Sequence, residues 1–284
     1  MNRLRVRQLL QQFLIEDIGE RDVTSNALFS SKDEGEVRVI AKENGIFVGE
    51  DVIREGFTLL DEQIHVNLLK QDGEGVRKGE EIAIIEGSIS AILSSERVVL
   101  NLIQRMSGVA TLTNRAVKVL EGSSSRVCDT RKTTPGLRMF EKHAVQCGGG
   151  FNHRYGLYDG VMLKDNHIAF AGSVSEAVKQ VREKIGHMVK IEVEIETKEQ
   201  LIEAVEANVD VIMFDNCSPD IIKEWLSLVP SHMTTEASGN LTLDNLHLYK
   251  ETGVHYLSLG ALTHSVQSLD ISLDVVQTRK EQLI

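Results

Sequence analysis

The sequence predicts an α/β protein in which an α+β N-terminal domain precedes an incomplete, TIM-like α/β barrel. Two observations lead to this fold class. In the first third of the chain, amphipathic helical segments are mixed with short β-rich ones, which is typical of an α+β domain. From about residue 127 onward, short β-rich segments alternate with helical segments over short connections, which favours parallel strands joined by right-handed crossovers.

The N-terminal third contains helical and β-rich segments in turn. The helical segments are residues 4–15, 50–60 and 91–120, and the β-rich segments are residues 36–40, 46–48, 64–69 and 73–87. Glu43-Asn44-Gly45, between the first two β-rich segments, predicts a β-hairpin. Ser107-Gly108 predicts a break in the third helical segment, because glycine is a poor helix former.

The second part of the chain has six β-rich segments with five helical segments between them. The β-rich segments are residues 127–128, 161–163, 189–195, 209–214, 233–237 and 256–259, and the helical segments are residues 137–147, 174–185, 198–207, 219–228 and 243–252. Six such units could form a doubly wound sheet or a barrel. The first strand is not followed by G-x-G-x-x-G, and the chain has no G-x-x-x-x-G-K-[ST], so those two nucleotide folds lose support. A barrel is preferred, and an incomplete one, because six units fall short of eight.

The predicted domains are residues 1–110 and 111–267. Residues 269–276 alternate like a strand, so the segment 268–284 is expected to return to the N-terminal domain. The start of the chain has no basic and apolar leader, and no apolar run is long enough for a bilayer, which predicts a cytoplasmic protein. Cys128, Cys147 and Cys217 are widely spaced, which argues against a disulfide framework or a zinc site and favours small buried side chains.

Positive charge is concentrated in one stretch of an otherwise acidic chain. Between Arg126 and His167 the formal charge is +3, whereas the rest of the chain carries −14 and the whole chain −11. The cations stand singly or in pairs among glycines and short apolar runs, unlike the block of charge on a solvated basic face. This distribution predicts a pocket for a small anion. The acidic balance argues against nucleic acid or an anionic membrane as a partner.

Polar residues follow every predicted strand of the barrel, at the end where parallel α/β folds bind ligands. They divide by chemistry into cations first, carboxylates next and Gly/Ser turns last. In chain order the set is Asp129-Thr130-Arg131-Lys132, Lys164-Asp165-Asn166-His167, Glu192 and Glu194, Asp215-Asn216, Glu236-Ala237-Ser238-Gly239-Asn240, and Ser258-Leu259-Gly260. The cations able to bind anions are Arg131, Lys132 and Lys164 of this set, together with Arg154. The cations can neutralise a diphosphate and substrate carboxylates, the carboxylates can hold ribose hydroxyls or Mg²⁺, and the turns can offer backbone N–H groups to a monophosphate.

Two parts of this pattern leave alternatives open. Glu192 and Glu194 share one face of their strand, and either could instead be the structural partner of Lys190. His153 is either a ligand contact or a hydrogen-bonded turn histidine.

Five motifs together resemble the quinolinate phosphoribosyltransferase family, also called nicotinate-nucleotide pyrophosphorylase (carboxylating). They are NLIQRMSGVAT (residues 101–111), DTRKTTPG (129–136), GGGFNHR (148–154), LKDNH (163–167) and EASGN (236–240). The resemblance covers nearly the whole chain and implies the fold given above. It also implies an enzyme that joins quinolinate to 5-phosphoribosyl 1-diphosphate and releases nicotinate mononucleotide, CO₂ and diphosphate, a step of de novo NAD synthesis. The implied cofactor is Mg²⁺, and the implied assembly is a homodimer or a dimer-based oligomer such as a hexamer.

The resemblance further implies a set of site residues. Quinolinate is expected to bind Arg105, Arg131, His153, Arg154 and Lys164, with Arg105 supplied by the neighbouring subunit of a dimer. Thr130 and Lys132 are expected to bind substrate, with Lys132 reaching the diphosphate, and Glu194 and Asp215 to bind the ribose and Mg²⁺. The 5′-phosphate loops fall on Ser238-Gly239-Asn240 and Ser258-Leu259-Gly260, with His264 nearby. Lys132, Glu194 and Asp215 are the expected catalytic residues.

Two other functions compete with this one. A related phosphoribosyltransferase could act on nicotinate without decarboxylation, but a monocarboxylate would leave several cations unpaired. A non-enzymatic regulator could bind a phosphometabolite on the same scaffold, but it would not need carboxylates opposite a cluster of lysines.

Overall fold

The computed structural model describes residues 1–30 and 32–276. In chain order the elements are α1 (Arg3–Ile18), α2 (Val23–Leu28), β1 (Glu34–Ala41), β2 (Gly45–Ile46), α3 (Glu50–Thr58), β3 (His65–Leu68), β4 (Gly75–Val76), β5 (Glu81–Ser88), α4 (Ile89–Val119), β6 (Arg126–Cys128), α5 (Arg138–Cys147), β7 (Val161–Leu163), α6 (Asp165–Ala171), α7 (Val174–Arg182), β8 (Ile191–Ile195), α8 (Lys198–Glu206), β9 (Val211–Asp215), α9 (Pro219–Leu226), β10 (Thr234–Ser238), α10 (Leu246–Tyr249), β11 (Tyr256–Ser258), α11 (Ala261–His264) and β12 (Ile271–Val275). Over these ranges, no helix combines the length and the apolar character that a bilayer span requires.

The chain divides into two compact units. The first contains Met1–Leu112, Met139–Gly148 and residues 266–276, and the second contains Thr113–Arg138 and Gly149–Ser265. Residues 139–148, which the predicted boundaries assign to the barrel, therefore pack with the first unit.

An antiparallel sheet with the strand order β12-β1-β5-β3 forms the first unit's β-structure. Ile271 of β12 pairs with Ala41 of β1, so this strand returns to the first unit as predicted, and residues 277–284 of the predicted return segment lie outside the described residues. The predicted hairpin around Glu43-Asn44-Gly45 is wrong, because β1 is hydrogen-bonded on both edges, to β12 and β5. The strand after the turn, β2, pairs with β4 instead.

The long helix α4 is continuous, so the break predicted at Ser107-Gly108 is wrong. Gly108 has a packing role. A Cβ at this position would lie 2.3 Å from the carbonyl oxygen of Gln267 and 3.0 Å from the Cα of Ser268. The absence of a side chain lets the segment before β12 pass directly over the helix.

The second unit is built on a six-stranded parallel sheet with the order β6-β11-β10-β9-β8-β7. Strands β7 to β11 lie side by side in chain order, and β6 pairs with the last of them, β11. β6 and β7 are therefore the two edge strands of the sheet. The sheet is therefore an open barrel of six strands, and the predicted incomplete α/β barrel is confirmed. Alternate residues of the central strands, such as Ile191, Val193 and Ile195 of β8, are fully buried.

The helices of the second unit differ from the predicted ones in two ways. The predicted helix 243–252 is reduced to α10, and two short helices, α6 and α11, were not predicted. Both follow directly on a motif at a strand end: α6 begins at Asp165 within LKDNH, and α11 begins at Ala261, after Gly260.

Candidate active site

A cavity of about 630 Å³ lies at the carboxyl ends of the parallel strands of the second unit. Eleven of the predicted site residues line it: Thr130, Arg131, Lys132, His153, Arg154, Lys164, Glu194, Asp215, Ser238, Gly239 and Asn240. Each follows or ends a strand of the sheet or lies on the loop 149–154. The topology of a parallel sheet brings these separate chain segments to one edge.

The loop 149–154 is held against the end of β6 by backbone and side-chain hydrogen bonds. Phe151 donates to the carbonyl oxygen of Val127, and Asp129 donates to that of Phe151. Asp129 is fully buried, and its Oδ1 accepts the backbone N–H of His153 at 2.8 Å. This buried carboxylate therefore fixes the position from which His153 and Arg154 enter the cavity.

His153 is bound on both ring nitrogens, so its tautomer follows from its contacts. Its Nδ1 accepts the backbone N–H of Arg154 at 2.8 Å, and its Nε2 lies 2.9 Å from Oε2 of Glu192 and 3.8 Å from Oε2 of Glu236. Because Nδ1 is an acceptor, the proton is on Nε2 and is donated to Glu192. His153 thus makes the turn hydrogen bond of one hypothesis, and it also lines the cavity in which the other hypothesis places a ligand contact.

Glu236 keeps its proton to unusually high pH. Burial and the neighbouring charge of Glu192 raise the pKa of Glu236 to about 7, although His153 opposes the shift. Ser258 donates a hydrogen bond to its other oxygen, Oε1. The site therefore holds one carboxyl group that changes charge near neutral pH.

The guanidinium groups of Arg131 and Arg154 both line the cavity and lie near each other. Burial and the positive charge of Arg131 lower the pKa of Arg154. The Nε atoms of Arg131 and Arg154 are buried, and neither has a hydrogen-bond partner among residues 1–30 and 32–276. An unpaired buried N–H group costs about 1–3 kcal/mol, so these two donors suit an anion with more than one acceptor oxygen.

Lys164 and Glu194 form an ion pair, with 2.7 Å between Nζ and Oε1. Burial raises the pKa of Glu194, Lys164 opposes the shift, and the nearby charge of Asp215 adds to it. Glu194 and Asp215 also line a smaller adjoining recess. Two neighbouring carboxylates suit a cation or sugar hydroxyls between them. Such a donor set fits Mg²⁺, which is usually held by one or two carboxylates together with substrate phosphates.

The two predicted phosphate loops differ in position. Ser238-Gly239-Asn240 lines the cavity, whereas Ser258-Leu259-Gly260 lies beside Lys132 and His264. Gly239 and Asn240 have φ angles of 92° and 53°, and a Cβ on Gly239 would lie 2.3 Å from Oδ1 of Asn216. In the second loop, Ser258 and Leu259 are buried. A Cβ on Gly260 would lie 2.8 Å from Cδ of Lys132 and 3.1 Å from Cδ2 of His264, so Gly260 lets these two side chains approach. His264 itself is exposed.

Arg105 is the one predicted site residue that belongs to the first unit. Its Nε and Nη2 donate to Oε1 of Glu141, at 3.0 and 2.8 Å. Glu141 is fully buried, whereas the Arg105 side chain remains 24% exposed. The buried carboxylate orients the guanidinium and leaves part of it accessible.

Five residues that line or support the cavity were not among the predicted site residues: Glu192, Asn216, Glu236, Met162 and Met213. Glu192 shares a strand face with Glu194, which was a usable signal, but it pairs with His153 and not with Lys190. Glu236 lies inside one of the five motifs. The two methionines are indistinguishable in sequence from ordinary strand core.

Comparison with known families matches the chain over most of its length. Residues 22–107 match the N-terminal domain, and residues 109–274 the C-terminal domain, of quinolinate phosphoribosyl transferase.

Individual relatives agree with these family matches. The chain is 57% identical to a probable nicotinate-nucleotide pyrophosphorylase [carboxylating] of Bacillus subtilis, over 97% of this chain and 95% of the relative. It is 39% identical to the quinolinate phosphoribosyltransferase [decarboxylating] 2 of Nicotiana glauca, over 95% of this chain and 82% of the relative. The crystal structure of NadC from Streptococcus pyogenes superimposes with a TM-score of 0.93 at 38% identity, covering 97% of this chain and 99% of that one.

Proposed function

This chain belongs to the quinolinate phosphoribosyl transferase family, and we propose that it transfers the phosphoribosyl group of 5-phosphoribosyl 1-diphosphate to quinolinate. Loss of CO₂ then gives nicotinate mononucleotide, with diphosphate as the second product, in de novo NAD synthesis. The observation that carries the choice of acceptor is the Arg131/Arg154 pair, whose buried Nε donors lack partners in the described chain. A planar dicarboxylate offers the charge and the acceptor oxygens that these two groups require.

The quinolinate ring is oriented by charged side chains and apolar side chains together. Arg131 and Arg154 bind the carboxylates, while Met162 and Met213 line the same cavity and offer an apolar surface to the ring. Holding the ring nitrogen in line with C1 of the ribose converts an encounter of two molecules into a positioned reaction.

Departure of the diphosphate is the step that needs positive charge. Lys132 is exposed to the cavity and lies against Gly260, where its ammonium can stabilise charge on the leaving oxygens. Glu194 and Asp215 provide negative charge for the oxocarbenium character that develops at C1. These two carboxylates would also hold Mg²⁺, which when bound supplies a Lewis acid for the diphosphate oxygens.

Decarboxylation follows from the charge of the alkylated ring. Once the ring nitrogen is bonded to C1 it is positive, and it stabilises the carbanion left when the adjacent carboxylate departs as CO₂. That carbanion must take up a proton. His153 carries a proton on Nε2, and the pKa of its neighbour Glu236 is raised to about 7, so we assign the proton supply to this pair beside the cavity.

A direct assay separates this function from its rivals. Quinolinate or nicotinate is incubated with 5-phosphoribosyl 1-diphosphate and Mg²⁺, and both CO₂ and nicotinate mononucleotide are measured. We expect product from quinolinate with an equal amount of CO₂, and loss of both in excess EDTA. Faster turnover of nicotinate would contradict the substrate, and undiminished turnover in EDTA would contradict the metal requirement. Binding without turnover of either acid would favour a regulator.

Two further expectations belong to the same proposal. The homodimer, or a higher oligomer built from it, rests on the family resemblance and on the position of Arg105 outside the second unit. The cytoplasmic location expected from the sequence remains a prediction.

A further inference from the structure

We propose that Asp72, His143 and Cys147 form a binding site for a transition-metal ion, with Zn²⁺ as the preferred ion. All three residues lie in the first unit, and none lines the cavity described above. Nε2 of His143 is 2.7 Å from Oδ2 of Asp72 and 3.5 Å from Sγ of Cys147. One ligand atom from each residue lies within 4.8 Å of the other two.

Local structure brings the three side chains together. His143 and Cys147 are four residues apart on α5 and therefore project from one face of the helix. Asp72 lies in the turn between β3 and β4. The next residue, Gly73, has a φ angle of +91°, and a Cβ there would be 3.3 Å from the carbonyl oxygen of Cys147. Glycine thus allows the turn to approach the end of the helix.

The carboxylate of Asp72 is already oriented. Its Oδ1 accepts the backbone N–H groups of Gly49 and Glu50 at 2.7 and 3.0 Å, at the start of α3. These bonds leave Oδ2 directed at His143. Metal ligands that are fixed in this way by outer hydrogen bonds bind without a large loss of side-chain freedom.

The spacing fits a tetrahedral ion that replaces a proton. With metal–nitrogen and metal–oxygen bonds of about 2.1 Å and a metal–sulfur bond of about 2.3 Å, nitrogen is about 3.6 Å from sulfur and about 3.4 Å from oxygen. The nitrogen–sulfur distance already agrees. The nitrogen–oxygen distance is that of a hydrogen bond, so the ion must displace the bridging proton and widen this gap by about 0.7 Å.

The donor set selects the kind of ion. One imidazole nitrogen, one thiolate and one carboxylate suit Zn²⁺ and related ions far better than Mg²⁺, which prefers oxygen ligands. Three protein ligands leave a fourth position for water. The side chains of His143 and Asp72 are 23% and 18% exposed, so an ion can reach the site from solvent.

Cobalt(II) provides a spectroscopic test on the full-length protein. Purified, metal-free protein is titrated with Co²⁺ in the presence of excess Mg²⁺, which competes at sites made of carboxylates alone. We expect one Co²⁺ per chain with the near-ultraviolet charge-transfer absorption of a cobalt thiolate, and its loss on addition of Zn²⁺. Cys147→Ser should abolish this absorption, and the matched control Cys217→Ser should retain it.

The two other ligands are tested by affinity. His143→Gln and Asp72→Asn should each weaken Co²⁺ binding by more than about 10-fold, since even outer-shell changes cost 10–100-fold. Thermal unfolding of each metal-free variant establishes that it is folded, and if Cys147→Ser is not, Asp72→Asn decides. No thiolate absorption in the unmodified protein, its persistence in Cys147→Ser, or undiminished affinity in Asp72→Asn would overturn the proposal.

Discussion

At the scale of single residues, the cationic side chains of the cavity differ in whether a carboxylate of the same chain is paired with them. Lys164 is paired with Glu194, whereas no carboxylate of the described chain lies within ion-pair distance of Lys132. Lys132 is also exposed. A cation without a partner is available to a ligand, and its removal leaves no buried charge behind. Lys132 is therefore the residue whose loss should affect the reaction most and folding least.

We expect Lys132→Ala to slow the chemical step by about 100- to 1,000-fold, because losing one contact made in the transition state costs about 2.7–4 kcal/mol. Single-turnover formation of nicotinate mononucleotide measures this step directly. The urea midpoint of the variant should equal that of the unmodified protein. Lys223→Ala, on the exposed face of α9, is the control and should leave the rate unchanged. An unaltered single-turnover rate in folded Lys132→Ala would remove Lys132 from the mechanism.

Glu236 predicts a dependence of stability on pH. Its pKa rises from about 4.5 in the unfolded chain to about 7 in the fold, so the native state binds an extra proton between these values. The contribution of Glu236 to stability is present at low pH and is lost as pH rises through about 7. Glu236→Gln mimics the protonated group. It should gain stability relative to the unmodified protein by up to about 3 kcal/mol between about pH 5 and about pH 8.

Urea unfolding at a series of pH values measures this difference. Glu251→Gln, at an exposed position, is the control, and its stability difference from the unmodified protein should not change with pH. A constant difference for Glu236→Gln as well would show that Glu236 ionises normally.

Some site residues could be predicted from the sequence and others could not, for a physical reason. The strand-end cations and carboxylates stand out because charge is rare next to buried strands. Met162 and Met213 look like core residues, and only the shape of the sheet shows that they face a cavity. Asp72 is 71 residues from His143, so no local pattern links them.

At the scale of elements, periodicity located the strands and most helices, but local turn signals were less reliable. Glu43-Asn44-Gly45 has the composition of a hairpin turn, yet β1 takes β5 and β12 as its neighbours. Pairing is decided by which apolar faces can be buried together, and that depends on distant segments. Likewise, the low helix propensity of Gly108 predicts a break, but tertiary packing keeps α4 continuous.

Gly108→Ala should therefore destabilise the protein. On an exposed helix this change would gain about 0.8–1.0 kcal/mol, but here the new methyl group meets the backbone of Gln267. Overpacking of this kind typically costs about 1–3 kcal/mol, so we expect a net loss in the free energy of unfolding by urea. Gly186→Ala is the control, because a Cβ there meets no atom within 4 Å. Equal or greater stability of Gly108→Ala would show that this close approach is not rigid.

At the scale of the whole molecule, strand–helix alternation was sufficient to predict an open α/β barrel, since few topologies bury such a sequence. The same alternation could not predict with which of the two units α5 packs. An amphipathic helix between two parallel strands normally packs as their crossover, and nothing in residues 139–148 shows that they pack with the first unit instead. Assembly is likewise a property of surfaces, which a sequence records only weakly.

The last prediction concerns that assembly. Arg105 lies in the first unit, and buried Glu141 holds its guanidinium with part of it still exposed. If it binds quinolinate in the neighbouring subunit, each active site of a two-fold dimer combines Arg105 of one chain with Lys164 of the other. Arg105→Ala and Lys164→Ala should then each be nearly inactive alone.

Mixing these two variants by unfolding and refolding should restore activity. A heterodimer then carries one site with both changes and one with neither, so random association returns about a quarter of the original sites. CO₂ release after refolding measures the recovery, and each variant refolded alone is the control. The heterodimers are verified by a size tag on one chain. If they form without recovered CO₂ release, Arg105 acts within its own chain, where its partner is Glu141 and its role is structural.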